Sequence, residues 1–315
     1  METETGKFWL WLAGSFLLIF LLFGAADRKG EGQRARRTAE CLALGALGAL
    51  GALLGAKLVY YICQLDFMIA AGWRESLFRL DPEEMSFYGG AAGLCLGVAL
   101  SARGREPVAL LNRFAPWGLA LGALVRFGEG FLGMLGVGPY LEDEALCFFP
   151  LAVGFSYGDD WTEWYLAVYV LEGISLLIVA AISRWGLKEH RFLRSVFWCC
   201  LPQILLENLR SGSFMWFFCI RVEQLACMVA MFVILVMYGV RARNRVPAAR
   251  AFLPAAVALL CAGLFIVCEF AMEGKIPFLR FLNIGACYGL MALGQVILGV
   301  TEIRAFRMGR EGAKA

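Results

Sequence analysis

Two arginine–carboxylate pairs are spaced three residues apart within strongly apolar stretches of this sequence. Arg126 and Glu129 form the first pair, and Glu207 and Arg210 form the second. Residues three apart lie on one face of a helix, so each pair can form an ion pair within its own segment. A charge inside a bilayer costs at least a few kcal/mol unless it is paired or faces water, so such a residue is a candidate functional group. Two guanidinium groups offer planar forks of donors, which suits them to bind a phosphate group.

Further ionisable side chains lie near the same ends of the apolar stretches. Glu172 lies within one stretch, and Arg221 and Glu223 lie in the first turns of another. We expect all of these groups to share one polar cavity in the outer half of the membrane, with a phospholipid head group from the outer leaflet as its ligand. The alternative is a set of structural ion pairs between helices, and the local sequence is compatible with both.

The composition of the chain indicates a membrane protein. Of its 315 residues, 60% are hydrophobic and only 17% are charged, whereas about 25% are charged in soluble domains. Apolar runs recur along the whole length, each near the roughly 20 residues that a spanning helix needs. We therefore expect an all-α polytopic membrane protein. The net charge of +3 gives no signal for nucleic acid, because membrane topology accounts for the basic residues.

The sequence predicts about nine spans, and basic residues mark every second loop. The positive-inside rule places these basic loops in the cytoplasm, which puts the N-terminus outside and the C-terminus inside. The longest non-spanning stretch, about residues 138–162, is acidic and is expected to form a small external head between spans four and five. The predicted spans cover about residues 8–23, 41–62, 86–102, 115–137, 163–182, 195–209, 214–240, 251–271 and 281–300.

The first apolar run also fits a second interpretation. Lys7, the run itself and the small residues Gly24, Ala25 and Ala26 resemble a signal peptide with its cleavage site. The run is long and the next loop is strongly basic, so we favour a membrane span.

Glycines recur in the second and third spans. Gly51 and Gly55 have the spacing that lets two helix backbones approach closely, and this spacing predicts helix packing. Gly89 and Gly90 follow Tyr88 near the start of the third span. Because glycine has no side chain, this second pair also allows the backbone to approach a ligand.

The cysteine and histidine content argues against a metal centre. The single histidine, His190, excludes a histidine-based metal cluster. The 11 cysteines lie in or beside apolar spans and lack the paired loop spacing of a disulfide framework. We expect buried free thiols, with no metal and no other cofactor.

Six short segments, in chain order, resemble motifs of the prolipoprotein diacylglyceryl transferases, bacterial membrane enzymes that begin lipoprotein maturation. Residues 55–60 are similar to the family's G-A-R-L-x-Y, residues 86–90 to S-F-H-G-G, and residues 126–129 to the start of G-R-I-G-N-F. Residues 162–173 are similar to H-P-x-Q-L-Y-E followed by L-E-G, residues 203–210 to R-F-x-x-E-F-x-R, and residues 223–224 to G-Q. The resemblance implies a seven-span domain over residues 1–240, with residues 241–315 adding two spans and a basic tail.

The resemblance also implies an activity and a location. The family transfers a diacylglyceryl group from phosphatidylglycerol to the lipobox cysteine thiol of a prolipoprotein in the bacterial plasma membrane. The expected partners are therefore phosphatidylglycerol, the lipobox of the signal peptide and membrane lipid, with no nucleic acid. The implied catalytic residues are Tyr88, Arg126 and Glu129, and the implied substrate-binding residues are Arg126, Glu207, Arg210, Gln224, Tyr165, Gly89 and Gly90.

The transfer reaction needs two kinds of group. The leaving phosphate must be neutralised, and the thiol must lose its proton because the thiolate is the nucleophile. Arg126 is the candidate for holding the phosphate, and Arg210 helps by its charge or by pairing with Glu207. Tyr88 is a poor base but can donate a hydrogen bond to phosphate, so Glu129 is the candidate proton acceptor.

The sequence departs from the family motifs at several of these positions. Tyr88 stands where the motif has histidine, Gln203 where it has arginine, Glu129 where it has asparagine, and Lys57 where it has arginine. Two hypotheses follow. The chain is either an active transferase with an altered site or a catalytically weakened relative that binds lipid or a lipoprotein.

Overall fold

The computed structural model describes residues 2–26, 34–71, 79–102, 106–156, 162–211, 215–217, 220–274 and 282–311. These residues are predominantly helical, and seven of their helices are long and apolar enough to cross a membrane. The chain is therefore an all-α polytopic membrane protein. Two short hairpins interrupt the helices.

The elements follow one another along the chain in a simple order. The helices are α1 (Glu2–Ala26), α2 (Arg34–Cys63), α3 (Leu65–Ala71), α4 (Phe87–Leu100), α5 (Pro107–Gly128), α6 (Val168–Trp185), α7 (Arg191–Leu209), α8 (Val222–Ala242), α9 (Ala248–Met272) and α10 (Ile284–Glu311). The strands are β1 (Ala152–Ser156), β2 (Thr162–Leu166), β3 (Trp216–Phe217) and β4 (Ile220–Arg221). Short 3-10 helices cover Pro82–Glu84, Glu129–Gly136 and Glu144–Leu146.

Two of the predicted spans correspond to helices outside that set of seven. Helix α4 has 14 residues and is about 21 Å long at 1.5 Å per residue, whereas the hydrocarbon core is about 30 Å thick. Helix α7 carries Pro202 in its interior and begins with the basic residues Arg191 and Arg194. Helix α4 is shorter than a typical membrane span. Helix α7 is long enough, but its polar residues and its proline make it less typical of a membrane span.

Helix α6 starts later than the sequence pattern predicts. The pattern places the start of the fifth span at Glu163, but residues 162–166 form strand β2, which pairs antiparallel with β1. Threonine and the aromatic residues of this segment favour an extended strand over a helix. The helix begins at Val168. The hairpin begins within the predicted external head and extends into the predicted fifth span, and residues 157–161 of the head are outside the described part of the chain.

The chain divides into two compact units. Unit 1 comprises residues 1–195 and 209–215, and unit 2 comprises residues 196–208 and 216–315. The domain boundary at residue 240, which follows from the family resemblance, stays a prediction.

Aromatic side chains from α1 and α5 form much of the apolar core of unit 1. The Phe20 ring of α1 stacks on the Phe114 ring of α5 with centroids 5.3 Å apart, and Phe23 meets the same ring edge-on at 5.5 Å. Val98 of α4 and Leu121 of α5 are buried in the same cluster. Helix α1 therefore packs as an integral helix of this unit.

Helices α2 and α4 pack through their glycines. A side chain on Gly51 or Gly55 would clash with the backbone carbonyl of Gly93 or Gly89, and the converse holds for Gly89 and Gly93. Only residues without a Cβ allow two helix backbones to approach this closely. The spacing of Gly51 and Gly55 correctly predicts helix packing.

Unit 2 contains α8, α9 and α10, which all contact one another. Met231 of α8, Phe265 of α9 and Met291 of α10 are almost completely buried. Gly294 lies directly against the Phe265 ring, and a Cβ there would lie 2.6 Å from the ring. The two helices that the resemblance does not cover, α9 and α10, therefore share a core with α8.

Replacing Gly93 with alanine tests the packing of α2 against α4. The new methyl group meets the Gly51 carbonyl, so we expect overpacking to destabilise the protein by about 1–3 kcal/mol. The measurement is the thermal unfolding midpoint of the detergent-purified protein, followed by intrinsic fluorescence. Gly14→Ala is the matched control, because nothing lies within 4 Å of the added Cβ. Equal midpoints for the two variants would contradict the close packing.

Candidate functional site

Four charged side chains of unit 1 form a closed ring of alternating sign. Arg126 Nη1 donates to Glu129 Oε1 at 2.7 Å, and Glu129 Oε2 lies 2.9 Å from Arg210 Nη2. Glu172 Oε2 lies 2.9 Å from Arg210 Nη1 and 3.2 Å from Arg126 Nε. Each carboxylate therefore contacts both guanidinium groups, and the formal charge of the ring is zero. The predicted pairing of Arg126 with Glu129 is confirmed.

The ring is withdrawn from solvent to different degrees around its circumference. The side chains of Glu172 and Arg126 are 0% and 1% exposed, whereas those of Arg210 and Glu129 are 8% and 10% exposed. Charges in such a low-dielectric environment interact strongly, and removing one partner leaves another charge buried without compensation. Glu172 is thus the fixed counterion, and Glu129 is the carboxylate with the better access.

Close packing of α5 against α6 brings the ring together. The Phe127 ring lies so close to the Cα of Gly173 that no side chain fits at this glycine. Phe127 follows Arg126 and Gly173 follows Glu172, so this contact places the guanidinium beside the carboxylate. Without a glycine here, the two helices would have to separate.

The chain changes from an α-helix to a 3-10 helix at Glu129. Helix α5 ends at Gly128, and the 3-10 segment Glu129–Gly136 is broken at Leu132 and Gly133. Gly133 has φ +64° and ψ −120°, a conformation that favours glycine. Glu129 is therefore held by an irregular segment, whereas Glu172 lies within the regular helix α6.

A backbone hydrogen bond positions Arg210, which follows the last residue of α7. The amide of Ser211 donates to the carbonyl of Val137 at 2.9 Å. Gly138 packs against the carbonyl of Leu209, where a Cβ would lie 2.8 Å away. These contacts fix the segment after α7 against the end of the 3-10 segment, and so bring Arg210 to Glu129.

The Ser86-Phe87-Tyr88-Gly89-Gly90 motif lies at the start of α4 and contacts the ring. The guanidinium carbon of Arg126 lies 3.9 Å from the centroid of the Phe87 ring, which is a cation–π contact. Ser86 caps α4, because its Oγ accepts from the Gly89 amide at 3.1 Å. The Ser86 amide also donates to the carbonyl of Ala56 in α2 at 3.1 Å. The motif thus joins α2, α4 and α5.

The other members of this motif have different surroundings. The half-buried Tyr88 ring meets Phe87 edge-on, with centroids 5.3 Å apart. Gly89 faces α2, where a Cβ would lie 2.5 Å from the carbonyl of Gly55, and Gly90 has only ordinary contacts with α2. Helix packing therefore accounts for Gly89, one of the two glycines that the resemblance assigns to substrate binding.

A separate buried ion pair lies between α2 and the segment before α4. Lys57 Nζ lies 3.0 Å from Glu84 Oε2, and the Lys57 side chain is only 9% exposed. Lys57 is the position where the family motif has arginine. In this chain the residue has its own counterion.

Tyr165, another predicted substrate-binding residue, lies in strand β2. Its hydroxyl donates to Glu163 Oε2 at 2.7 Å, and its ring meets those of Tyr140 and Phe155 edge-on. These contacts lie within the hairpin and between the hairpin and the segment that precedes it.

The remaining predicted residues, Glu207 and Gln224, belong to unit 2. Arg221 Nη1 donates to the backbone carbonyl of Glu207 and lies 3.7 Å from Glu207 Oε1. Gln224 Nε2 donates to the carbonyl of Ile204 at 3.0 Å and to Glu269 Oε1 at 2.7 Å. The expectation of one cavity shared by all the ionisable groups extends over both units and stays a prediction.

Sequence patterns assigned no catalytic or substrate-binding role to three residues of these clusters. Phe87 lies within one of the family-like motifs, but it contacts Arg126, which is 39 positions away in the sequence. A contact over this distance has no signal in the local pattern. Glu172 is predicted only as a member of the shared cavity. Glu269 lies near the end of a strongly apolar helix, and this isolated carboxylate is the signal that could have identified it.

The chain was also compared with family models, curated proteins and solved structures. None of them matches it. The motif resemblance and the geometry of the two clusters are therefore the observations that bear on function.

Substitution of Glu172 tests whether the ring is a coupled electrostatic unit. Glu172→Gln leaves two buried guanidinium groups facing one carboxylate, so we expect a loss of about 3 kcal/mol of stability. Thermal unfolding in detergent measures the loss, and Glu142→Gln at an exposed position is the control. The Glu172→Gln/Arg126→Gln double variant restores neutrality, so its loss should be smaller than the sum of the two single losses. Additive losses would show that the four groups are not coupled.

Proposed function

We propose that this chain is a divergent relative of the prolipoprotein diacylglyceryl transferases and binds the phosphate of phosphatidylglycerol at the four-charge ring. One observation carries the proposal. Segments that resemble separate family motifs converge on the ring, and they supply Phe87, Arg126 with Glu129, Glu172 and Arg210. These segments are far apart in sequence, and a chance collection of packing residues gives no reason for them to meet.

The neutral ring can accept a phosphate by exchange. The phosphodiester of phosphatidylglycerol carries one negative charge, as does a carboxylate. If it replaces Glu129 between Arg126 and Arg210, the ring stays neutral. Glu129 is the carboxylate to be displaced, because its side chain is more exposed than that of Glu172 and lies on the irregular segment after α5. Glu172 then remains as the buried counterion that orients both arginines.

The exchange also supplies a base for the transfer. In the reaction, the bond between the diacylglyceryl carbon and the phosphate oxygen breaks, and a bond forms between that carbon and the acceptor sulfur. Glycerol phosphate leaves, with its charge neutralised by the two guanidinium groups. The thiol proton passes to Glu129, which the incoming phosphate has released from both arginines. Tyr88, next to Phe87 in α4, is the candidate donor of a hydrogen bond to the phosphate.

A second candidate function is lipid or lipoprotein binding without transfer. It is favoured by the pairing of both arginines with two carboxylates, which an anionic lipid must disrupt before it binds. Tyr88 and Gln203 also stand where the resemblance implies histidine and arginine. The loss of one arginine near a developing phosphate charge raises a barrier by roughly 3 kcal/mol, which is about a hundredfold in rate.

An assay with phosphatidylglycerol and a lipobox peptide tests the proposal directly. We expect thioether-linked diacylglyceryl peptide from the parent protein, and about a hundredfold less from Arg126→Lys, because lysine lacks the planar fork of donors. Glu129→Gln should change two measurements in opposite directions. Lipid binding should tighten because one competing charge is gone, and transfer should fall because the base is gone. Glu142→Gln, at an exposed position, is the control.

The outcomes separate the two candidate functions. Transfer by a Tyr88→His/Gln203→Arg variant but not by the parent would identify a binding protein with a disabled site. The ring would be only a structural element under one outcome. In that outcome neither Glu129→Gln nor Arg126→Lys changes lipid binding, and no variant transfers the diacylglyceryl group.

In the proposed topology the chain crosses a bacterial plasma membrane nine times, with its N-terminus outside the cell and its C-terminus in the cytoplasm. The alternation of basic loops requires α4 and α7 to cross together with the seven longer helices. The hairpin head over residues 138–162 then faces outward, and the loop between α8 and α9 faces the cytoplasm.

Labelling with a membrane-impermeant maleimide checks this topology. A cysteine introduced at Glu142 should react in intact cells, and one introduced at Arg243 should react only after the membrane is opened. Both positions are exposed, so access alone does not limit the reaction. The parent protein corrects for its native cysteines. The reverse pattern would invert the topology and place the ring toward the cytoplasmic face.

A further inference from the structure

The side-chain amide of Gln224 is held in one orientation by two acceptors in unit 2. Its nitrogen donates to the backbone carbonyl of Ile204 and to the carboxylate of Glu269. The backbone carbonyl of Ile204 cannot donate a hydrogen bond in return, so the nitrogen and oxygen of the amide cannot be exchanged. Both amide hydrogens are used, and the carbonyl oxygen is left as a fixed acceptor.

The oxygen of this amide has no donor within the described residues. Gln224 is only 1% exposed, and Oε1 is buried without a hydrogen-bond partner in the part of the chain that the structure describes. A buried acceptor that stays unpaired is costly, so its persistence needs an explanation. Because the nitrogen is already fixed, the site calls for a hydrogen-bond donor from beyond these described residues.

The neighbouring charges also favour a donor over an anion. Glu269 experiences the charges of Arg221, Glu207 and Glu273. Arg221 is engaged by the carbonyl and carboxylate of Glu207. Hydrogen-bond acceptors thus predominate around Gln224. In the ring of unit 1, by contrast, donors and acceptors are balanced by two arginines and two carboxylates. The described residues contain no group of three metal-ligating side chains, so the chemistry fits a hydroxyl or an ammonium group better than a metal ion.

The position along the helices matches the depth of lipid head groups. Gln224 is the third residue of α8, and Glu269 lies three residues before the last residue of α9. Both helices are long and apolar enough to span a membrane. Residues at the ends of such helices lie level with the polar head groups of the bilayer.

We propose that Gln224 and Glu269 form a recognition site for the hydroxyl or ammonium group of a phospholipid head group. Gln224 accepts the hydrogen bond, and Glu269 is the positioning residue that keeps the amide oxygen available. Glu269 comes from α9, one of the helices beyond the seven-span region, so this site gives the additional helices a role in lipid selection. The proposal concerns binding alone and does not depend on transferase activity.

Three phospholipids with the same acyl chains test it with the purified full-length protein. Phosphatidylglycerol offers hydroxyls, phosphatidylethanolamine offers an ammonium group, and phosphatidylmethanol has the phosphodiester with no donor. We expect the first or second lipid to bind about tenfold more tightly than phosphatidylmethanol, measured by native mass spectrometry or by lipid-induced thermal stabilisation. The preferred lipid identifies the donor. Equal binding of all three by the parent protein overturns the proposal, whatever the variants do.

Substitutions of Glu269 then separate positioning from simple structural support. Glu269→Leu leaves the amide held by the Ile204 carbonyl alone, so the amide oxygen is positioned less firmly and the preference should be lost. Glu269→Gln should keep it, because its own carbonyl oxygen still accepts from the Gln224 nitrogen. Glu273→Gln, at an exposed position of the same segment, is the control. If Glu269→Leu does not fold, Gln224→Met removes the acceptor directly and should also abolish the preference. A folded Glu269→Leu or Gln224→Met variant with the parent preference would refute the assignment.

Discussion

The compensation of buried charge is the constraint on which the rest of unit 1 depends. Arg126 and Glu172 are almost completely removed from solvent, in helices that are largely apolar. Neither residue is tolerable in a membrane helix alone, because the desolvation of a charge outweighs what packing returns. The closed ring solves this problem, since each carboxylate contacts both guanidinium groups. Its geometry demands that α5, α6 and the segment after α7 meet at one place.

The glycine contacts make that meeting possible. Gly173 admits the Phe127 ring, and Gly138 admits the backbone at the end of α7. The glycines between α2 and α4 affect the ring indirectly. They fix the start of α4 and therefore the position of the Phe87 ring against Arg126. Backbone packing and electrostatics are therefore coupled in this unit. A methyl group at any of these glycines displaces a helix that carries or supports a charge.

The two polar clusters differ in chemistry, and the difference bears on function. The ring of unit 1 is balanced, so it can accept an anion only by releasing a carboxylate of its own. The cluster of unit 2 has an excess of acceptors and a fixed amide oxygen, so it is suited to a donor. Each cluster is therefore suited to a different kind of ligand group.

The sequence by itself determined the class of the protein, the approximate positions of most of its helices and the residues of the Arg126–Glu129 pair. These features follow from local composition and from helical spacing, which act over a few residues. Only the tertiary structure decided that Arg210 pairs with Glu129 and Glu172, that Phe87 stacks on Arg126 and that Glu269 holds Gln224. The tertiary structure also showed that residues 162–166 form a strand. A strand is stable only when it pairs with another strand, and here β1 is the partner. Partners distant in sequence leave no periodic signal, so one chain on its own cannot predict which of several buried charges will meet.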